Sequence, residues 1–194
     1  GYRAPRVALL GADQVTLQEA ARHLAQAERP VLLVGNGGRH AAGELLELAE
    51  KLGCPVATTC GAKGVFPESH PLSLGIFSFG SGPLARAVLT APPDVLCVVG
   101  SRLGEFSSMN FSELLKPSRA LIHIDREPTC IGRNYAAVAV VGDAACALSA
   151  LSAAITAPAV APPPWCVELM RREQRLERPQ ASCSATVPIQ PERV

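Results

Sequence analysis

The stretches VLLV, DVLCVVG, ALIHID and AVAVVGD, at residues 31–34, 94–100, 120–125 and 137–143, carry continuous apolar runs where a half-exposed strand would alternate. Strands of that kind are buried on both faces, which requires a parallel sheet with helices above and below it. Helical periods lie between and around the runs. In TLQEAARHLAQA, Leu17, Ala20, Ala21 and Leu24 share one helical face, and Pro30 separates that helix from VLLV. ELLELAEKLG closes a second helix, with Gly53 placed to take a left-handed terminal conformation and Pro55 just beyond it. PVAT then reads as a strand, PLARAVLTA as a helix, and the alanine-rich segment from Asp143 to about Ile155 as the last helix.

Parallel strands joined by helices need right-handed crossovers. The expected fold class is therefore α/β: a three-layer, doubly wound, Rossmann-like parallel sheet, with five clear strands and a sixth near Leu74, in the order 3-2-1-4-5-6. An apolar fraction of 48% with only 4% aromatics suits such tightly layered packing. Past residue 156 the character changes. TAPAVAPPPW, with Pro158, Pro162, Pro163 and Pro164, cannot continue a helix and reads as a stiff linker. WCVELMRREQRLER is expected to form one further helix, and PQASCSATVPIQPERV has no apolar period. The division is a domain over 1–156 and a linker, helix and tail over 157–194.

A net charge of +1, from 18 basic and 17 acidic residues, leaves no electrostatic footprint for nucleic acid or anionic lipid. No stretch matches a membrane span or a secretory leader, so a cytoplasmic location is expected. The seven cysteines include no Cys-x-x-Cys pair, which argues against a zinc knuckle or a disulfide framework, and most are expected to be small buried hydrophobes.

In a doubly wound sheet, ligands sit at the carboxyl ends of strands where successive connections leave in opposite directions. That rule selects the loops Gly35–His40, Thr58–Lys63, Gly100–Glu105, Asp125–Arg133 and Gly142–Asp143, with Gly35 and Gly100 flanking one crevice. VLLVGNGGRH matches only the first two glycines of the G-x-G-x-x-G fingerprint, at Gly35 and Gly37. His40 takes the third place, and no acidic residue follows the second strand. This disfavours a NAD enzyme. Gly35 and Gly37 either cradle a phosphate or permit a tight turn. Arg102 either meets a phosphate bidentately or forms a salt bridge across the sheet end. Asp125 either accepts from a ribose or adenine or caps the loop leading to Glu127-Pro128. His23, His40, His70 and His123 are scattered over a helix, loops and a strand. Lys63 and Glu68 lie in a charged, glycine- and proline-rich loop that reads as a solvated surface element or an interdomain contact, and no nucleophile, base and oxyanion hole assemble.

Taken together, AERPVLLVGNGG, LAEKLGCPVATTCGAKGVFPESHPLSLG, DVLCVVGSRLGE, LIHIDREPTCIGRNY and VVGDA strongly resemble the central domain of thiamine diphosphate-dependent enzymes. That family includes acetolactate synthase, pyruvate oxidase, benzoylformate decarboxylase and oxalyl-CoA decarboxylase. The resemblance covers about residues 13–155. It implies a non-catalytic structural domain with an N-terminal and a C-terminal domain as its partners, within a homo-oligomer. VPIQPERV is similar to the opening of that C-terminal domain. Thiamine diphosphate and Mg²⁺ would belong to the other domains, since the family's Gly-Asp-Gly…Asn-Asn metal motif is not matched: Ala144 follows Gly142-Asp143, and no asparagine follows Asn134.

Where the family's central domain binds a nucleotide, it is free ADP or the ADP part of FAD. Carried over by position, the contacts would be Gly35, Asn36 and Gly37; Thr59, Cys60 and Gly61; the Leu74–Phe77 turn with Gly75 and Ile76; Gly100, Ser101 and Arg102; Ile124 and Asp125; and Gly142 and Asp143. Leu103, Gly104 and Glu105 stand where flavin-binding acetolactate synthases commonly carry an acidic pair and a second arginine, which argues against FAD. The intact enzyme would decarboxylate a 2-oxo acid or transfer the resulting fragment. The competing reading is a free-standing nucleotide-binding protein of the same fold.

Overall fold

The computed structural model describes residues 10–79 and 81–156, together with Pro164 and Val167. The expected linker, the helix over 165–178 and the tail therefore lie outside the described residues. Helix α1 (Gln14–Ala25) starts where Asp13 Oδ2 accepts from the Thr16 amide at 3.0 Å, and Leu17, Ala20, Ala21 and Leu24 are all buried. Strand β1 (Pro30–Val34) leads to helix α2 (Ala42–Leu52), which ends at Gly53 with φ +59°. There the amides of Gly53 and Cys54 donate back to the carbonyls of Glu50 and Ala49, satisfying two of the helix's last acceptors. Strands β2 (Val56–Thr58) and β3 (Ser73–Ile76) follow, then helix α3 (Pro83–Thr90) and strand β4 (Val95–Val99). Strand β5 (Ala120–Asp125), strand β6 (Val138–Val141) and helix α4 (Ala144–Ala154) complete the domain.

All six strands are parallel, in the order β3-β2-β1-β4-β5-β6. The strand expected near Leu74 is β3. Every residue of β1 and β4 is buried, because these two occupy the middle of the sheet. Alternate side chains feed two cores. Leu32, Val34, Cys97, Val99, Ile122 and Ile124 pack under α1, α2 and α4. Val31, Leu33, Leu96, Val98 and Leu121 pack with Val88 and Leu89 of α3 and with Phe77, Leu103 and Leu115. Asp94 ties the starts of β1 and β4 together, its carboxylate accepting from the Glu28 and Arg29 amides at 2.8 Å each.

Of the five described cysteines, only Cys54 and Cys97 are buried. Burial pushes the Cys97 thiol up to about 12. Cys60 is exposed, and Cys130 and Cys146 are partly so, because these three lie in connections or on a helix flank rather than in the sheet. Among the described cysteines, then, burial is not general. Lys63 and Glu68 form an exposed pair at 2.8 Å. Among the described residues no helix is long and apolar enough to cross a membrane.

Candidate functional site: the crevice between β1 and β4

Connections from β1 and β4 leave toward opposite faces of the sheet, and the crevice opens above their carboxyl ends. Backbone bonding continues past the strand ends into the turns. The Gly35 amide donates to Val99 O at 2.8 Å, Gly37 to Gly100 O at 2.9 Å, Gly100 to Ile124 O at 2.8 Å and Thr59 to Val34 O at 2.8 Å. The floor of the crevice is thus rigid backbone.

Asn36–Gly38 forms a tight turn, and close packing is what requires glycine in it. Gly35 has φ −102° and Gly37 is not among the positive-φ residues, so no unusual dihedral requires them. A Cβ on Gly35 would meet Gly100 O at 2.4 Å, and one on Gly37 would meet Gly100 Cα at 2.8 Å. The two turns are packed backbone against backbone, and side chains would force them apart. Gly61 differs: its nearest neighbour is Asn36 Cβ at 3.6 Å, which is ordinary contact.

Between these turns lies a cleft of about 660 Å³, within the range of small-molecule sites. Asn36, Gly37, Thr59, Cys60, Gly61, Gly100, Ser101, Arg102 and Asp125 line it, all of them singled out from sequence. Gly104, Glu105, Phe106 and Ser107 complete the wall. The first two fall in a loop chosen by the strand-end rule. Phe106 and Ser107 were missed, and the available signal was an aromatic residue set in the polar run EFSSMNFS.

The other expected residues lie elsewhere, with Leu74, Phe77 and Ile124 buried in the cores. Gly35 sits beneath the floor. Gly75, at φ +71°, and Ile76 belong to β3, where Gly75 O accepts from Thr58 Oγ1 at 3.4 Å. Gly142 and Asp143 lie beyond β6. There the Asp143 amide donates to Leu10 O at 2.8 Å and its carboxylate caps α4 by accepting from the Ala145 amide at 3.0 Å.

Side-chain bonding fixes the lining. With the Asn36 amide in the orientation its surroundings satisfy, Nδ2 donates to Gly61 O at 3.3 Å and Oδ1 accepts from Arg39 Nη1 at 3.2 Å. Cys60 Sγ and Ser78 Oγ are 2.9 Å apart. Asp125 Oδ1 accepts from the Glu127 amide at 2.9 Å, so this carboxylate caps its own loop and also lines the cleft. Arg102 enters no ion pair among the described residues, which leaves the expected salt bridge across the sheet end unformed. No group of three or more His, Cys, Asp or Glu that could hold a metal occurs among the described residues.

His123, 2% exposed in β5, supports the floor by donating from Nε2 to Ser101 O at 2.8 Å. Burial pulls its pKa below the usual 6.5, partly opposed by that hydrogen bond and by Asp125. Because the folded value lies below the unfolded one, the fold favours the neutral ring. Its contribution to stability is complete above about pH 6.5 and is lost as pH falls toward the folded value, with a slope of at most about 1.4 kcal/mol per pH unit. His123→Gln, which keeps a donor, is expected to flatten urea-unfolding stability between pH 6.5 and 5. An unchanged slope would show that other groups set the acid limb.

Residues 17–151 match the family described as "Thiamine pyrophosphate enzyme, central domain". The chain is 38% identical over 165 residues to a "Probable acetolactate synthase large subunit" of Methanocaldococcus jannaschii, a match covering 84% of this chain and 26% of the relative. Among solved structures, a protein of Mycobacterium smegmatis assigned as a thiamin diphosphate-dependent enzyme aligns with TM-score 0.67 at 28% identity, over 84% of this chain and 32% of that one. Benzoylformate decarboxylase from Polynucleobacter necessarius aligns with TM-score 0.65 over 78% of this chain and 29% of that one, and at 22% identity it speaks to the fold alone. The chain spans about a quarter to a third of the length of these proteins.

Proposed function

This chain belongs to the central-domain family of thiamine pyrophosphate enzymes, and on that footing we propose that it is a non-catalytic module whose β1/β4 cleft holds the ADP part of a nucleotide. The observation that carries the reading is the cleft itself: a space of nucleotide size at the switch point, with a backbone floor and a lining rich in hydrogen-bonding side chains. Arg102 would meet the diphosphate above the packed Gly37 and Gly100 backbone, and Asp125 would accept from a ribose hydroxyl. ADP fits better than FAD, given Leu103, Gly104 and Glu105.

The residues present do not fit thiamine diphosphate. Asp143, the nearest counterpart of the family's metal aspartate, spends its carboxylate on capping α4 and has Ala144 after it. We assign that cofactor and its Mg²⁺ to other domains of the longer protein, and we place the domain limit near residue 156 with 157–194 as the connection onward. In that protein the cofactor would supply the electron sink for breaking the bond next to a 2-oxo acid carbonyl, within a homo-oligomer.

Thermal unfolding of the 194-residue chain with ADP, FAD, NAD and coenzyme A tests the nucleotide. A ligand that binds only the folded state adds about 2.7 kcal/mol at a hundredfold excess over its Kd. That is an upward shift of several degrees for a domain of this size. ADP is expected to give it and NAD is not. The reading ends if no nucleotide moves the transition, and a purified protein that is yellow would replace ADP with a flavin.

A further inference from the structure

We propose that the smaller cavity next to the cleft is an anion subsite that takes a phosphoryl group between Arg102 and Arg133. This cavity, of about 250 Å³, is lined by Arg102, Gly104, Phe111, Cys130, Arg133 and Asn134. It shares Arg102 and Gly104 with the larger cleft, so one ligand can reach from one into the other.

The charges divide unequally between the two spaces. In the large cleft Arg102 is opposed by Glu105 and Asp125. The small cavity is lined by two exposed arginines and by no carboxylate residue. Neither arginine forms an ion pair among the described residues. Arginines that serve the fold are bonded: Arg119 reaches the carbonyls of Gln26 and His23 at 3.0 and 2.9 Å and approaches Asp94 at 3.9 Å. Two unpaired cations lining one cavity repel each other, and an anion between them removes that repulsion.

The cavity walls are also held at a cost. Met109, Asn110 and Phe111 have consecutive φ values of +54°, +57° and +58°, and Leu103 has +47°. Side chains other than glycine lose about 1–2 kcal/mol each in this left-handed region. Strain of that kind persists where surrounding bonds over-determine it, and it gathers at ligand clamps. Here Asn134 Nδ2 donates to Leu103 O at 2.9 Å, Tyr135 Oη donates to Ser112 O at 3.1 Å, and the Phe111 amide donates to Ser108 Oγ at 2.9 Å. These bonds join the segment after β4 to the segment after β5 and set Phe111 into the wall. A phosphoryl group suits the site better than a carboxylate. A carboxylate's acceptors lie in one plane, whereas three phosphoryl oxygens point in different directions and can meet two forks from two sides.

The charge of the cavity stands apart from the nucleotide reading, while an anion that is part of a nucleotide rests on it. The test is to titrate the ¹⁵N-labelled chain and its Arg133→Gln variant with inorganic phosphate and, separately, with ADP. Phosphate is expected to shift the amides of Gly104, Phe111 and Asn134, and Arg133→Gln to weaken this response at least tenfold. Arg133→Lys should retain part of it, which separates loss of the anion site from misfolding. If Arg133→Gln weakens ADP as well, the anion is the nucleotide's own phosphoryl group. If ADP affinity is unchanged while the phosphate response falls, the subsite serves a separate phosphoryl ligand. If ADP never shifts Asn36, Gly37 or Gly61 but phosphate behaves as expected, the nucleotide reading falls and the subsite stands. Phosphate shifts that are absent, or equal in the chain and in Arg133→Gln, overturn the proposal.

Discussion

Gly100→Ala is expected to lower folding stability by roughly 2–6 kcal/mol, enough to leave much of the chain unfolded at 37 °C. Two penalties combine at this position. Gly100 has φ +61°, where a Cβ is strained, and that Cβ would lie 2.5 Å from Gly37 C and Gly38 N. Those neighbours are backbone atoms of a turn already bonded to Gly100 itself, so they cannot rotate aside as a side chain would. Gly35→Ala isolates the steric part. Its φ of −102° suits alanine, yet the Cβ would meet Gly100 O at 2.4 Å and Ser101 Cβ at 2.5 Å. Gly104→Ala is the control, since nothing lies within 4 Å of the added atom and its φ is not positive. It should remain within about 0.5 kcal/mol of the parent. Urea midpoints at constant m separate the three. A Gly100→Ala midpoint equal to that of Gly104→Ala would mean that the two turns can part, and with them the floor of the cleft.

This glycine pair also shows where sequence reasoning stopped. The parallel sheet was legible because continuous apolar runs of strand length fit few arrangements besides a sheet covered on both faces, and β1, β4 and β5 lie where those runs do. Strand β3 was fainter: its four residues include Gly75, and only Leu74 is buried. The cleft's main loops were legible through the strand-end rule, but the reason for Gly35 and Gly37 was not. Their constraint comes from Gly100, more than sixty residues away in the chain, and no local pattern encodes that meeting. Phe106 and Ser107 were hidden because the segment after β4 has neither helical nor strand period; its shape rests on left-handed residues and on bonds to Asn134 and Tyr135. Gly142 and Asp143 lie outside this cleft. They satisfy the strand-end rule, but β6 is the sheet edge, two strands beyond β4 and so away from the switch point.

The second large effect is expected at the centre of the sheet. Leu32 and Leu33 are both 0% exposed and adjacent in β1, yet they feed different cores. Truncating either to alanine should cost roughly 2–5 kcal/mol through lost burial and the cavity left behind. The two costs should differ. Leu32 lies under α1, α2 and α4, three helices of 11 or 12 residues that brace one another, so its cavity has little freedom to collapse. Leu33 lies under α3, of eight residues, together with irregular segments that carry Phe77, Leu103 and Leu115. That layer can settle into the space, which places Leu33→Ala toward the lower end of the range and Leu32→Ala toward the upper. Urea unfolding should show both midpoints falling at an unchanged m, because both faces belong to one cooperative unit. If Leu33→Ala instead lowers m, or gives two transitions, the α3 layer opens separately from the rest. The segment after β4 packs on that layer through Leu103 and Leu115, so the wall of the cleft would then open with it.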